Sequence, residues 1–526
     1  MKNQNRTPLS PQSAPPLQRL ARQAGVVAAF GLGLAGCALG PNFKTPAAPA
    51  GAADASYTPT PMPAQTVSAP GIGGAVQRFA PGQDIPAQWW SMFQSPALDQ
   101  LIRAALTQSP TMAAAQASLR QAQENYKAEA GTLAYPAVNA ALGAQRERAS
   151  VLTTGQPGGS VFNLYNASVN VSYAPDVFGV TRRTLEGAQA QVDYQRMQVE
   201  ATYLALTANV VTTAIREASL RAQLKATREV LDALTRQTAL IDKQFSFGAI
   251  ARTTVLTQRT QLAQTQATVP PLEKALAQTR HQLSVLVGRL PSEAGLPEFQ
   301  LDALTLPEQL PVSLPSALLR QRPDVRASEE LLHQASALVG VATANQYPQF
   351  TLSGSYGSSA LTPADVFKSS SVIWSLGAGI TQPIFNGGAL TAKKHAAEAA
   401  YDEAAAQYRG TLLGAFQNVA DTLRALESDA STLKAQAEAE SLASQSLALA
   451  TSQYKLGAIS NLSLLDAERV YQQTHITLVQ AQAARYADTA ALFQALGGGW
   501  WNRGALAPAD VRAEVSADAQ AAPLAR

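Results

Sequence analysis

Large apolar residues fall on a 3.5-residue period over two long stretches of the chain. Alternating steps of four and three from Val199 reach Tyr203, Leu206, Val210, Thr213, Glu217, Leu220, Leu224, Thr227, Leu231, Leu234, Thr238, Ile241 and Phe245, and ten of these fourteen are apolar. The same rule gives Phe416, Val419, Leu423, Leu426, Ala430, Leu433, Ala437, Glu440, Ser444, Leu447, Thr451 and Tyr454, nine of twelve apolar. A sustained period of this kind marks coiled-coil helices. Between Gly187 and Gly248 lie 60 residues with neither Gly nor Pro, which predicts a helix of about 90 Å at about 1.5 Å per residue. Gly-Ala-Ile turns at 248–250 and 457–459 lead into further Gly/Pro-poor helices, predicted over 249–269 and 458–496. Each copy of the pattern therefore reads as a long antiparallel helical hairpin. Its polar seam members (Thr213, Thr227, Thr238, Ser444) argue against a dry membrane bundle.

Elsewhere the period changes to two. Tyr165, Ala167, Val169, Val171 and Tyr173 alternate with Asn166, Ser168, Asn170 and Ser172. Similar alternation runs through 349–356 and 372–381, and more weakly through 137–146. Each run has about the length a tilted strand needs to cross a bilayer. Tyr165, Tyr173, Tyr356 and Trp374 sit near strand ends, as interfacial aromatics do. Four strands cannot close a membrane barrel, and an open edge is forbidden in lipid. The sheet is therefore either soluble or shared among several copies.

The elements also repeat. Tyr135-Pro136-Ala137-Val138 returns as Tyr347-Pro348-Gln349-Phe350, Ala174-Pro175-Asp176-Val177-Phe178-Gly179 as Gln382-Pro383-Ile384-Phe385-Asn386-Gly387, and Phe247-Gly248-Ala249-Ile250 as Leu456-Gly457-Ala458-Ile459. The offsets of 212, 207 and 209 make the chain two copies of one unit.

Composition changes this picture at the ends. Lys2, Arg6, Arg19 and Arg22 precede an apolar run, Ala24 through Ala35, which is too short to span a bilayer. It ends in Leu34-Ala35-Gly36-Cys37, a pattern that resembles a lipoprotein signal, so 1–36 is expected to be removed and Cys37 to carry lipid. Ala38 rather than Asp follows, which by that analogy favours the outer membrane. Cys37 is the single cysteine of 526 residues, so no intrachain disulfide forms. The net charge of +3 becomes −1 once the four basic residues of 1–36 are gone, and no concentrated basic face for nucleic acid is expected. Residues 37–87, rich in Pro, Ala, Gly, Ser and Thr, read as a lipidated tether. The remaining expected divisions are a first repeat over 88–290, a connecting equatorial segment over 291–315, a second repeat over 316–496 and a flexible tail over 497–526.

In this order the features resemble the TolC/OprM-like outer membrane factors of tripartite efflux systems, in the NodT-type lipoprotein branch. The resemblance rests on Cys37 with Gly40-Pro41-Asn42-Phe43 after it, Trp89-Trp90-Ser91-Met92-Phe93 before the first helix, both strand starts after proline and both Gly-Ala-Ile turns. It implies a mostly α fold with β. Helical hairpins form an α-barrel, and four transmembrane strands per protomer complete a trimeric twelve-strand β-barrel in the outer membrane. It further implies a homotrimer, a periplasmic adaptor (membrane fusion) protein, an inner-membrane transporter of the RND type and contact with outer-membrane lipid.

Two sites carry over. Phe247, Gly248 and Ala249, with Leu456, Gly457 and Ala458, match the tips on which family adaptors dock, where glycine permits a tight reversal. Asp466, nine residues past Gly457, matches an acid that in relatives faces the tunnel constriction; three copies near an axis would repel one another and attract cations. The first copy has Thr257 there, and 459–463 reads Ile-Ser-Asn-Leu-Ser, so a second acidic ring is in doubt. Tyr454 and Phe245 are expected either to lock neighbouring helices or to act as seam residues.

No catalytic constellation is evident, and no cofactor beyond lipid on Cys37 is expected. His281, His333, His395 and His475 show no metal-ligand spacing, and the chain is not expected to be an enzyme. The expected function is a passive exit duct for small molecules. The alternatives at this level are a periplasmic adaptor or a structural envelope lipoprotein with no conduit.

Overall fold

The computed structural model describes residues 38–47, 56–149, 160–293 and 295–503. The signal segment 1–36, Cys37, part of the proposed tether, the loop 150–159 and the tail from 504 lie outside the described residues. The protein is mostly helical and divides into two units, one built around a four-stranded sheet and one around the helical hairpins.

The sheet unit holds β2 (Ala137–Ala149), β3 (Ser160–Tyr173), β5 (Gln349–Ala360) and β6 (Val372–Thr381), all antiparallel in the order β2-β3-β5-β6. β2, β3 and β5 run a few residues past the predicted ends, because ladder pairing continues where the alternation fades. The register places Leu142 opposite Ala167, Val169 opposite Tyr356, and Tyr356 opposite Trp374. This face is apolar from strand to strand along the row Ala140, Val169, Tyr356 and Trp374, with Arg146 and Asn163 toward one end. The other carries Asn166, Ser168 and Asn170 opposite Ser359, Gly357 and Ser355. Gly357 is required here, since a Cβ would meet the Ala167 carbonyl oxygen at 2.4 Å.

In the same unit the Gly40-Pro41-Asn42-Phe43 segment is packed in place. The buried Arg183 guanidinium donates to the Leu39 carbonyl at 3.2 Å and to Asn42 Oδ1 at 2.7 Å, and pairs with Glu186 at 2.7 Å. Phe43 stacks on His333, and His333 Nε2 lies 3.0 Å from Glu186 Oε1. Glu186 is half-buried, which raises its carboxyl, but hydrogen bonds from Arg183 and His333 outweigh this and hold it below the usual range.

The helical unit takes most of α3 (Val180–Ser246), α4 (Arg252–Leu286), most of α7 (Ala389–Lys455) and α8 (Asn461–Ala495). The two hairpins have the same lengths, 67 residues followed by 35. Shorter helices, α1 (Pro96–Gln108) and α2 (Pro110–Leu133), precede the first strand pair, and α5 (Pro315–Gln321) and α6 (Pro323–Ala344) the second. Each begins with proline at its first position, where the missing N–H costs nothing.

α4 corrects the predicted end at 269. The helix continues through Pro270 and Pro271. Both prolines are exposed, so the carbonyls they deprive of partners can be hydrated. The seams are largely as the periodicity predicts. Leu206, Val210, Leu234, Ile241, Val419, Leu426, Ala430 and Leu433 are buried. The polar positions are accommodated locally, since the Thr238 hydroxyl donates to the Leu234 carbonyl at 2.7 Å. Glu217 is fully buried and accepts from Arg221 at 2.7 Å and from Arg280 on α4 at 2.6 Å.

The stretch 56–87, read as tether, packs against this unit. Strand β1 (Arg78–Pro81) pairs in parallel with β4 (Gln309–Val312). Gln77, fully buried, donates to Pro307 O at 3.1 Å and Thr489 Oγ1 at 3.0 Å, and accepts from Arg485 at 2.7 Å. Composition alone misses such packing, because these contacts are mainly polar and long-range. Trp89 and Phe93 are fully buried, and Trp89 packs 5.4 Å from the Phe493 ring, so the Trp-Trp-Ser-Met-Phe motif is a core element. Residues 497–503 are also held, with Trp500 Nε1 donating to the Gln321 carbonyl at 2.7 Å.

Candidate functional site

The two hairpin tips have one geometry. In the first, the Gly248 N–H donates to the Phe245 carbonyl at 2.8 Å and the Ala249 N–H to that of Gln244 at 2.9 Å. In the second, Gly457 donates to Tyr454 at 2.9 Å and Ala458 to Gln453 at 2.9 Å. These paired bonds form a Schellman C-cap, which needs a left-handed residue at the glycine. Gly248 has φ +76° and Gly457 φ +74°.

Surroundings separate these glycines from others of like conformation. A Cβ on Gly288 would meet the Gln108 carbonyl oxygen at 2.3 Å, and one on Gly497 that of Gln321 at 2.5 Å. A Cβ on Gly248 or Gly457 would meet no such neighbour within 4 Å. Phe247 and Leu456, the residues just before them, are each 85 % exposed. The tips thus present two large apolar side chains and accessible backbone. Chemically, they are suited to docking a partner.

Beyond the second tip, Ser460 caps α8 by accepting from the Ser463 N–H at 3.2 Å. Asp466 follows on the first turns of α8. It is exposed and pairs with Arg469, itself exposed, at 2.7 Å. It borders a recess between α7 and α8 lined by Ala443, Ser446, Gln453 and Val470. Tyr454 is half-buried, and burial raises its phenol; Phe245 is exposed.

Sequence reasoning missed Glu468. Two helical positions from Asp466 is a turn of about 200°, so the two acids occupy opposite faces. Glu468 faces inward, and burial pushes its carboxyl up to about 7. The mark that could have found it is its place one helical turn after Leu464 and Leu465, both buried. Also missed was a carboxyl pair, Asp429 and Asp488. Burial first, and then the neighbouring Asp488, hold the Asp429 carboxyl well above the usual range, while Arg485 opposes the shift.

A folded-state pKa raised above the unfolded value makes stability greatest below about pH 4 and lowers it as pH rises toward about 7. Asp429→Asn is therefore expected to raise the thermal midpoint at pH 8 and change it little at pH 4. A midpoint shift of equal size at both pH values would contradict this.

Among the described residues no helix is long and apolar enough to cross a membrane, and no group of three or more His, Cys, Asp or Glu is placed to hold a metal. His475 Nδ1 lies 3.0 Å from Glu440 Oε1.

Known proteins resemble this chain in sequence and fold. The family described as outer membrane efflux protein matches residues 101–289 and 314–498. The pyoverdine export outer membrane protein OpmQ of Pseudomonas putida is 31% identical, over 84% of this chain and 94% of its own. The probable efflux pump outer membrane protein TtgC of the same species is 30% identical, over 91% of this chain and 95% of its own. Among solved structures, the outer-membrane channel OprN superposes with a TM-score of 0.78 at 27% identity, over 88% of this chain and 100% of that one.

Proposed function

We propose, for a chain that belongs to the outer membrane efflux protein family and serves as an outer-membrane efflux channel, that three copies close one duct. The four-stranded sheet carries the reading. Among the described residues, the outer edges of β2 and β6 pair with no strand, while one sheet face carries an apolar band that crosses all four strands. Unpaired backbone is not tolerated in lipid, and closure removes edges. Three sheets joined edge to edge make a twelve-strand barrel, apolar toward lipid and lined by serine, asparagine and glycine. The hairpins of the three copies form an α-barrel.

In this reading Cys37 carries the lipid anchor. A periplasmic adaptor docks on Phe247, Gly248 and Ala249 and on Leu456, Gly457 and Ala458. An inner-membrane transporter of the RND type supplies the energy, and small molecules leave passively. Tyr454 and Phe245, the last seam residues before each tip, lock neighbouring helices when the end is closed. Asp466 stands at the gate, where three carboxylates favour cations. The test of assembly is the mass of the intact protein in detergent. A trimer supports the shared barrel, and a stable monomer inserted in lipid would refute it.

The gate has its own test. Asp466→Ala removes the carboxylate and leaves Arg469 uncompensated, so single-channel cation preference in planar bilayers is expected to fall, with weaker block by polyvalent cations. Unchanged conductance and selectivity would remove Asp466 from the gate.

A further inference from the structure

Between the two hairpins, within the helical unit, lies a cavity of about 440 Å³. Its walls include Val230, Leu234 and Leu240 of α3, Leu447 of α7 and Leu464 of α8, with the rings of Tyr454 and Tyr471. Its volume and apolar lining match those of small-molecule sites, which combine such walls with a few convergent polar groups. The polar group here is the Glu468 carboxylate. With the Gln237 amide nitrogen turned toward α8, that nitrogen donates to Glu468 Oε1 at 2.6 Å and Oε2 at 3.1 Å.

A neutral amide leaves the negative charge uncompensated. The cavity's own cations do not supply the deficit: Arg236 and Lys455 are exposed, and neither contributes to the Glu468 shift, whose cause is burial. Glu229 is exposed too, and His475 is engaged with Glu440. Burial raises the phenols of Tyr454 and Tyr471, so both stay neutral at ordinary pH. What the cavity lacks is a positive charge carried on an apolar body.

We propose that this cavity is a binding site for amphipathic organic cations, with a protonated amine on Glu468 and its apolar portion between Val230, Leu234, Leu447 and Leu464. Such a ligand touches α3, α7 and α8 together and so bridges the two hairpins. Neither Asp466 nor any of the six tip residues lines it, although Tyr454 does, and its test does not depend on transport.

The probe is dansylcadaverine, a fluorescent primary amine, titrated into the full-length protein in amphipol and followed by fluorescence anisotropy. Its N-acetylated form, which keeps the apolar body and loses the charge, is the control. Saturable binding of the amine alone is expected at pH 8.5. Burial raises the Glu468 carboxyl and the Gln237 amide opposes this, so binding should weaken several-fold as pH falls to 5.5 and the carboxylate is protonated, while an amine near pKa ~10 stays charged. Glu468→Gln should bind weakly at both pH values and lose the pH dependence, which separates Glu468 from His475. Ala233→Trp, which fills the cavity and retains the acid, should abolish binding. Equal affinity for wild type and E468Q would overturn the proposal. So would equal affinity for the acetylated probe, since the cavity would then be an apolar surface of the kind a partner helix covers.

Discussion

Substitution of both tip glycines, Gly248→Val with Gly457→Val, is expected to abolish efflux while leaving the trimer assembled in the outer membrane. Both positions require φ near +75°, a region that a β-branched residue occupies only at a cost of about 1–3 kcal/mol. A Cβ at either glycine would meet no packed neighbour within 4 Å, so the cost is mainly one of backbone conformation. The strain is relieved locally, by fraying of the last helical turn, and this displaces Phe247 and Leu456. A loss of about 2 kcal/mol of docking energy corresponds to roughly thirtyfold weaker adaptor binding. Gly248→Asn with Gly457→Asn is the matched control, because asparagine tolerates the left-handed conformation. It should retain most activity. The measurement is restoration of resistance in a strain lacking this channel, over a panel of antibiotics, dyes, solvents and metal ions, with trimer abundance in the outer membrane measured in parallel. Full resistance with the valine pair would reduce the tips to simple turns.

The second large effect is expected at Glu217→Leu. This residue occupies a coiled-coil seam position and is fully buried between Arg221 and Arg280. Removing one member of a buried ion pair leaves its partners uncompensated, at about 3–5 kcal/mol. The lower end of that range applies here. Arg221 and Arg280 retain 24 % and 30 % exposure, and Arg221 also reaches Glu298 at 3.1 Å. Thermal denaturation of the solubilised protein should show a midpoint several degrees lower. Glu217→Leu with Arg280→Leu should recover much of the loss, since apolar replacement of a whole buried pair is often neutral. A double variant as unstable as the single one would mean that the pair matters for register and not for charge balance.

The two hairpins, the four strands and the repeat were legible in the sequence because each rests on a period or a recurring motif, and the channel function through the family resemblance that those motifs carry. Seam positions 210, 234, 241, 419, 426 and 433 are buried as their spacing requires, since a 3.5-residue repeat places them on one side of any helix. Strand alternation likewise dictates which side chains share a face whatever the strand pairs with. The glycine turns were legible because only a residue without Cβ accepts φ near +75° at no steric cost.

The tertiary structure decided what local patterns leave open. Pro270 and Pro271 read as a helix end, yet α4 passes through them, both exposed, where water can reach the carbonyls they leave without a donor. Residues 56–87 are too polar to fold alone, and it is long-range bonding of Gln77 to Arg485, Thr489 and Pro307 that orders this part of them. The acids divide in the same way. Asp466 was singled out by its distance from the turn, and its exposure is set by the face it occupies. Glu468, two positions on, is half-buried because α3 and α7 lie against the opposite face of α8. By itself the sequence determined periodicity, turns and repeat, which are properties of the chain and its own geometry. Which polar side chains are shut away from water depends on neighbours brought together from more than 200 residues apart, and only the folded arrangement decides that.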